Sequence, residues 1–80
     1  MFSPPLALQP IVAEAKDPVA GGALLLAADG SVYAFGGARY KGGPNGKPYF
    51  VGRKAAQFFF TPEGDYGVVA ESGERYGPGF

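Results

Sequence analysis

The stretch Leu24-Leu25-Leu26-Ala27-Ala28-Asp29-Gly30-Ser31-Val32-Tyr33-Ala34-Phe35 decides the fold. Two short apolar runs flank Asp29-Gly30, a pair that tolerates positive φ, and this pattern predicts a β-hairpin. Gly36-Gly37 permits a second reversal into Ala38-Arg39-Tyr40, read as a third strand. Gly42-Gly43-Pro44-Asn45-Gly46 is a loop by its composition, and Tyr49-Phe50-Val51 reads as a further short strand.

The same grammar returns downstream. Phe58-Phe59-Phe60-Thr61 runs into Glu63-Gly64, then Tyr66-Gly67-Val68-Val69-Ala70, a Ser72-Gly73 turn and Arg75-Tyr76. Leu24–Leu26 matches Phe58–Phe60, and Asp29-Gly30 matches Glu63-Gly64, at a spacing of 34; Arg39-Tyr40 matches Arg75-Tyr76 at 36. A repeat of this length points to stacked or radial β architecture. The expectation is an all-β domain over residues 23–80, built from two meander repeats at about 23–42 and 57–77. Asp29, Gly30, Glu63, Gly64 and Gly73 are its turn-forming positions.

Residues 1–22 differ in kind. They hold four of the eight prolines, Pro4, Pro5, Pro10 and Pro18. Proline fixes φ and pushes its predecessor out of the helical region. Ile11 to Asp17 is the one helix candidate, and it is too short to stand alone. An extended N-terminal arm is expected, with Leu6, Leu8, Ile11 and Val12 lying on a partner.

A chain of 80 residues is one domain at most and buries a small core. Small domains are commonly stapled by disulfides or metals, but Cys and His are both absent. Glycine (14) and proline (8) make the backbone costly to order, yet 46% hydrophobic content with seven Phe and five Tyr is too apolar for a disordered chain. Association with other chains is the staple that remains, so a homo-oligomer or complex subunit is expected. The consecutive rings of Phe58-Phe59-Phe60 lead the same way. Adjacent strand residues face opposite sides, so either the strand is covered on both faces or Phe59 lies at an interface.

Catalysis fails by inventory. Ser3, Ser31 and Ser72 have no His or Cys to activate them. Glu63/Asp65 and Glu71/Glu74 flank tight turns, where acidic residues are ordinary solvated turn formers. No enzyme activity, cofactor or metal is expected. No 18-residue apolar run exists, so no membrane span is expected. Met1-Phe2-Ser3-Pro4-Pro5 lacks the basic and apolar regions of a secretion signal, so the chain is expected to be made in a cytoplasm.

Net charge is zero but unevenly spread. Residues 38–54 carry Arg39, Lys41, Lys47, Arg53 and Lys54 without an acid; residues 61–74 carry Glu63, Asp65, Glu71 and Glu74 without a base. The basic stretch is interleaved with Tyr40, Tyr49 and Phe50, the mixture with which single-stranded nucleic-acid binders hold phosphates and stack bases. The simpler reading is that the rings are needed as core and the opposite charges neutralise each other within or between subunits. Arg39, Tyr40, Lys41, Tyr49, Phe50, Arg53 and Phe59 are therefore the candidate partner-binding residues of the domain.

The segment Leu24–Phe35 with Arg39-Tyr40 resembles the short Asp-Gly β repeats of propeller-like and tail-associated proteins of actinobacteria and their phages. Residues 22–52, with the later Ser72-Gly73-Glu74-Arg75-Tyr76, look like small proteins encoded near the minor tail genes of actinobacterial phages. The resemblance covers residues 22–77. It implies a non-catalytic virion structural component, tail-associated, whose partners are other virion proteins. It carries over no catalytic residue. Two repeats are too few to close a propeller, which takes about 4–8 blades, and a lone chain would leave sheet edges exposed. The alternatives are a β module that binds single-stranded nucleic acid through Arg39, Lys41, Tyr49, Phe50, Arg53 and Lys54, or one that binds cell-wall carbohydrate through exposed tyrosines.

Overall fold

Hairpin turns organise the chain. Three of them have one geometry: Gly30 N donates to Ala27 O (3.0 Å), Gly64 N to Thr61 O (2.9 Å) and Gly73 N to Ala70 O (2.8 Å). Each turn is closed behind by a second bond, Ala27 N to Ser31 O, Thr61 N to Asp65 O and Ala70 N to Glu74 O, at 2.8–2.9 Å. The fourth residue is glycine each time, at φ of 93°, 89° and 93°, the left-handed region that a side chain disfavours. This is a three-residue hairpin loop closed by a left-handed glycine. Pro62 follows Thr61 in one of the three, where proline pre-sets the φ that such a turn needs.

The computed structural model describes residues 10–80. Within them lie six strands: β1 (Ile11–Lys16), β2 (Ala23–Ala27), β3 (Val32–Phe35), β4 (Ala55–Phe60), β5 (Tyr66–Ala70) and β6 (Arg75–Tyr76), with one 3₁₀ turn at Pro48–Phe50. They form two three-stranded antiparallel sheets, in the orders β1-β2-β3 and β4-β5-β6. The architecture is all-β.

Three element assignments differ from the sequence reading. Ile11–Lys16, placed in the arm, is a strand paired with β2 from Lys16↔Ala23 to Ile11↔Ala27, so the first sheet starts at residue 11. Its inward positions are alanines, Ala13 and Ala15, and its outward ones Val12, Glu14 and Lys16. Alternation with alanine on the buried side carries little hydrophobic signal, and the surrounding prolines masked it further. Ala38-Arg39-Tyr40, read as a strand, is not one. Nor is Tyr49-Phe50-Val51: Pro48 at the first helical position suits a 3₁₀ turn, because its missing N–H is not required there.

The repeat is consequently phased one strand earlier. β1 pairs with β2 through Lys16↔Ala23, Ala15↔Leu24, Glu14↔Leu25 and Ala13↔Leu26, then slips through a bulge to Ile11↔Ala27. β4 pairs with β5 through Phe60↔Tyr66, Phe59↔Gly67, Phe58↔Val68 and Gln57↔Val69, then slips through the same bulge to Ala55↔Ala70. Ile11 and Ala55 are 44 apart, Ala27 and Ala70 are 43 apart. The backbone bond Ala28 N to Pro10 O (2.9 Å) recurs as Glu71 N to Lys54 O (2.8 Å). Unit 1 is thus β1-β2-β3 and unit 2 is β4-β5-β6. All three hairpin turns share one code, so aligning the first with the second, as a spacing of 34 does, matches turn chemistry as well as aligning the first with the third.

One core serves both units. Leu24, Leu26 and Val32 from unit 1 cluster with Ala55, Tyr66, Val68 and Ala70 from unit 2 and with Phe50 from the linker. Fully burying a Leu or Val side chain contributes roughly 1.5–3 kcal/mol, so the shared cluster makes neither sheet independent of the other. Phe50, assigned to partner binding, is only 4% exposed. It packs edge-on to Tyr76, with ring centroids 5.2 Å apart, and belongs to this core.

Candidate functional site

Asp17 is 2% exposed, the one buried charged residue among those described. The Asp17-Pro18 turn after β1 aims its carboxylate inward, where Val19 N (2.8 Å) and Ala20 N (3.0 Å) donate to Oδ1. Arg39 completes the site from the other side of the unit. Its backbone N and Nε each donate to Oδ2 at 2.9 Å, and Nη2 donates to Oδ1 at 3.0 Å. A two-pronged guanidinium contact of this kind is the strong form of an ion pair. The Arg39 side chain, with the backbone donors behind it, holds the Asp17 carboxyl far below the usual carboxylate range. Nη2 of Arg39 also donates to Gly64 O at 2.9 Å. Arg39 therefore ties the β1–β2 loop to the β4–β5 turn, a clip between the two units.

Two further ion pairs join charges within the chain. Lys41 pairs with Asp65, and Arg53 Nη1 lies 3.1 Å from Glu74 Oε1. Glu74 further accepts from Tyr76 Oη (2.7 Å) and Ser72 Oγ (3.2 Å). The Tyr76 hydroxyl, ahead of other contributions, lowers the Glu74 pKa, and the same bond raises that of Tyr76. Lys41–Asp65 and Arg53–Glu74 join the basic stretch to the acidic one within one chain. Tyr66 anchors the linker: its hydroxyl donates to Gly42 O (2.6 Å) and accepts from Lys41 N (2.7 Å). Burial raises the pKa of this phenol.

The candidate residues divide accordingly. Arg39, Lys41 and Arg53 are held by acids of the same chain. Tyr49 stacks on Tyr76, centroids 5.4 Å apart and planes within 12°. Phe59 is half-buried, over the backbone of Gly67 whose absent side chain makes room for the ring, and the Arg75 guanidinium sits 5.2 Å from its centroid. Tyr40 is 62% exposed and helps line a neutral groove of about 260 Å³ with Ser31, Tyr33 and Asn45. Ile11 and Val12 are 40% and 39% exposed on β1. Leu6 and Leu8 lie outside the described residues. Asp17, Tyr66 and Tyr76 were missed from sequence. Asp17-Pro18 was a readable turn signal, but its pairing with a residue 22 positions on was not.

Among the described residues no group of three or more Asp, Glu, Cys or His side chains is placed to hold a metal ion. What the geometry offers instead is surface. The start of β1 is exposed and apolar, and the turn 70–74 borders a second cleft of about 430 Å³ lined by Gly52, Arg53, Lys54, Glu71 and Ser72. Comparison with protein-family models, with curated proteins and with solved structures finds no match.

Proposed function

We propose that this chain is a non-catalytic structural subunit of a phage virion, tail-associated, acting by protein–protein assembly. The observation that carries the assembly reading is the exposure of Ile11 and Val12 on β1, an outer strand of its sheet. Apolar side chains on an outer strand, with no hydrogen-bonded strand beyond it among the described residues, are what a partner covers. The placement in a tail rests on the resemblance of Leu24–Phe35 and Arg39-Tyr40 to tail-associated repeats. The internal pairing of Arg39, Lys41 and Arg53 favours assembly over phosphate binding, since a nucleic-acid surface needs its cations free.

Proteomic analysis of gradient-purified virions from the phage encoding this chain tests the reading. The protein should remain with intact particles after high-salt washing, because apolar assembly is insensitive to salt or strengthened by it. Its absence from washed particles would overturn the proposal.

A further inference from the structure

We infer that copies of this chain associate head to tail, the start of β1 in one copy docking on the open turn 70–74 of the next, by repeating the junction that joins the chain's own two units. The inference rests on the assembly reading and names its partner as a second copy.

The internal junction has two sides. On one, the turn 27–31 of unit 1 presents Ala28 O, to which Ala55 N at the start of β4 donates at 2.8 Å. Asn45 Nδ2 donates to Asp29 O at 3.0 Å. The turn is covered so closely that a Cβ on Gly30 would lie 3.0 Å from both Asn45 N and the Phe50 ring. On the other side, Ala55 is sealed at 1% exposure.

Both halves of this junction occur a second time, unfilled among the described residues. Gly73 has the φ of Gly30, yet nothing lies within 4 Å of the position its Cβ would take. Glu71 O is the counterpart of Ala28 O, and no other described segment donates to it. The cleft of about 430 Å³ lies at this face. The counterpart of Ala55 is Ile11, exposed to 40% instead of 1%. The counterpart of half-buried Ala56 is Val12, again larger and more exposed. A strand start without a turn to dock on, and a turn without a strand start, are related by the same step of 43–44 residues as the pair that is already joined.

The two surfaces are different, so the contact is heterologous and leaves each copy with a free half. Such contacts propagate into rings or filaments. That property makes it testable by complementation. Val12→Glu places a charge in the strand-side half, and Ser72→Trp fills the turn-side cleft; both positions are exposed, and circular dichroism verifies that each variant folds. Sedimentation velocity of the wild-type chain over a concentration series should show species beyond the dimer. Each variant alone should associate at least about tenfold more weakly, the effect of burying one unpaired charge or blocking one cleft. Mixed together, the variants retain one intact junction between them and should form a 1:1 heterodimer and nothing larger. A wild-type chain that stays monomeric, a dimer that neither variant weakens, or a mixture that fails to pair would each overturn the inference. If purified virions contain the chain but its copies do not pair, this inference fails and the assembly reading stands. If copies pair head to tail but virions lack the chain, the reverse holds.

Discussion

The turns 27–31 and 70–74 have the same hydrogen bonds and the same glycine φ, but different surroundings. The first is roofed by Asn45, Pro44 and Phe50 of the linker; the second is open among the described residues. Local turn chemistry is thus fixed by three or four residues in both places, while coverage depends on what the chain brings next. A linker and a second strand start cover the first turn, whereas among the described residues no segment covers the second. One junction is consequently filled and an equivalent one is not.

Substitution of the two glycines separates turn strain from coverage, and it carries the largest expected effect. Gly73→Val meets only the strain of a β-branched residue at positive φ, about 1–3 kcal/mol. Gly30→Val adds a clash with Asn45 N and Phe50, so its cost should exceed that of Gly73→Val by about a further 1–3 kcal/mol, the usual cost of overpacking. Chemical denaturation measures both. Equal losses would show that the first turn is not held under its roof.

Tyr66→Phe comes next. It removes the hydroxyl that serves Gly42 O and Lys41 N, loosening the linker that covers turn 27–31. Leaving those groups unpaired costs about 1–3 kcal/mol. Tyr76→Phe, whose hydroxyl meets the solvated Glu74 near the open turn, should cost clearly less in the same assay.

The clip between the units predicts a pH dependence. The pKa of Asp17 is lowered in the folded protein, so the folded state binds fewer protons at this site than the unfolded one. Its stabilisation is complete above the usual carboxylate range and is lost as pH falls below it. Asp17→Asn should lower Tm at neutral pH and flatten the acid limb of Tm against pH. An unchanged acid limb would show that Arg39 and Asp17 do not pair in solution. The smallest effect belongs to Tyr40→Ala: the ring is exposed, and stability should stay within about 0.5 kcal/mol of wild type.

The sequence carried the hairpins well because Asp29-Gly30, Glu63-Gly64 and Ser72-Gly73 are local signals, each read from neighbours in the chain. It misled on β1 because Ala13 and Ala15 bury little area and Pro10 and Pro18 bracket the strand. Phe50 was placed on the surface because it sits among Lys47, Arg53 and Lys54; only the 3₁₀ turn started by Pro48 rotates it inward. Of the candidate surface, Ile11 and Val12 were legible as apolar residues in a chain short of core. The open turn was not, because Gly30 and Gly73 look alike in sequence and differ only in what covers them.

The central claim is that the start of β1 and the turn 70–74 are the two halves of one unfilled junction. The absence of cysteine from the sequence permits a direct measurement. Ile11→Cys and Glu71→Cys chains, prepared separately, are mixed and treated with a short bis-maleimide, and the products are resolved by mass spectrometry. Head-to-tail docking predicts that the cross-linked heterodimer of the two variants forms well ahead of either homodimer, and that adding the Ser72→Trp substitution to the Glu71→Cys chain suppresses it. Homodimers in equal or greater yield, or no cross-link between the two chains, would contradict the account.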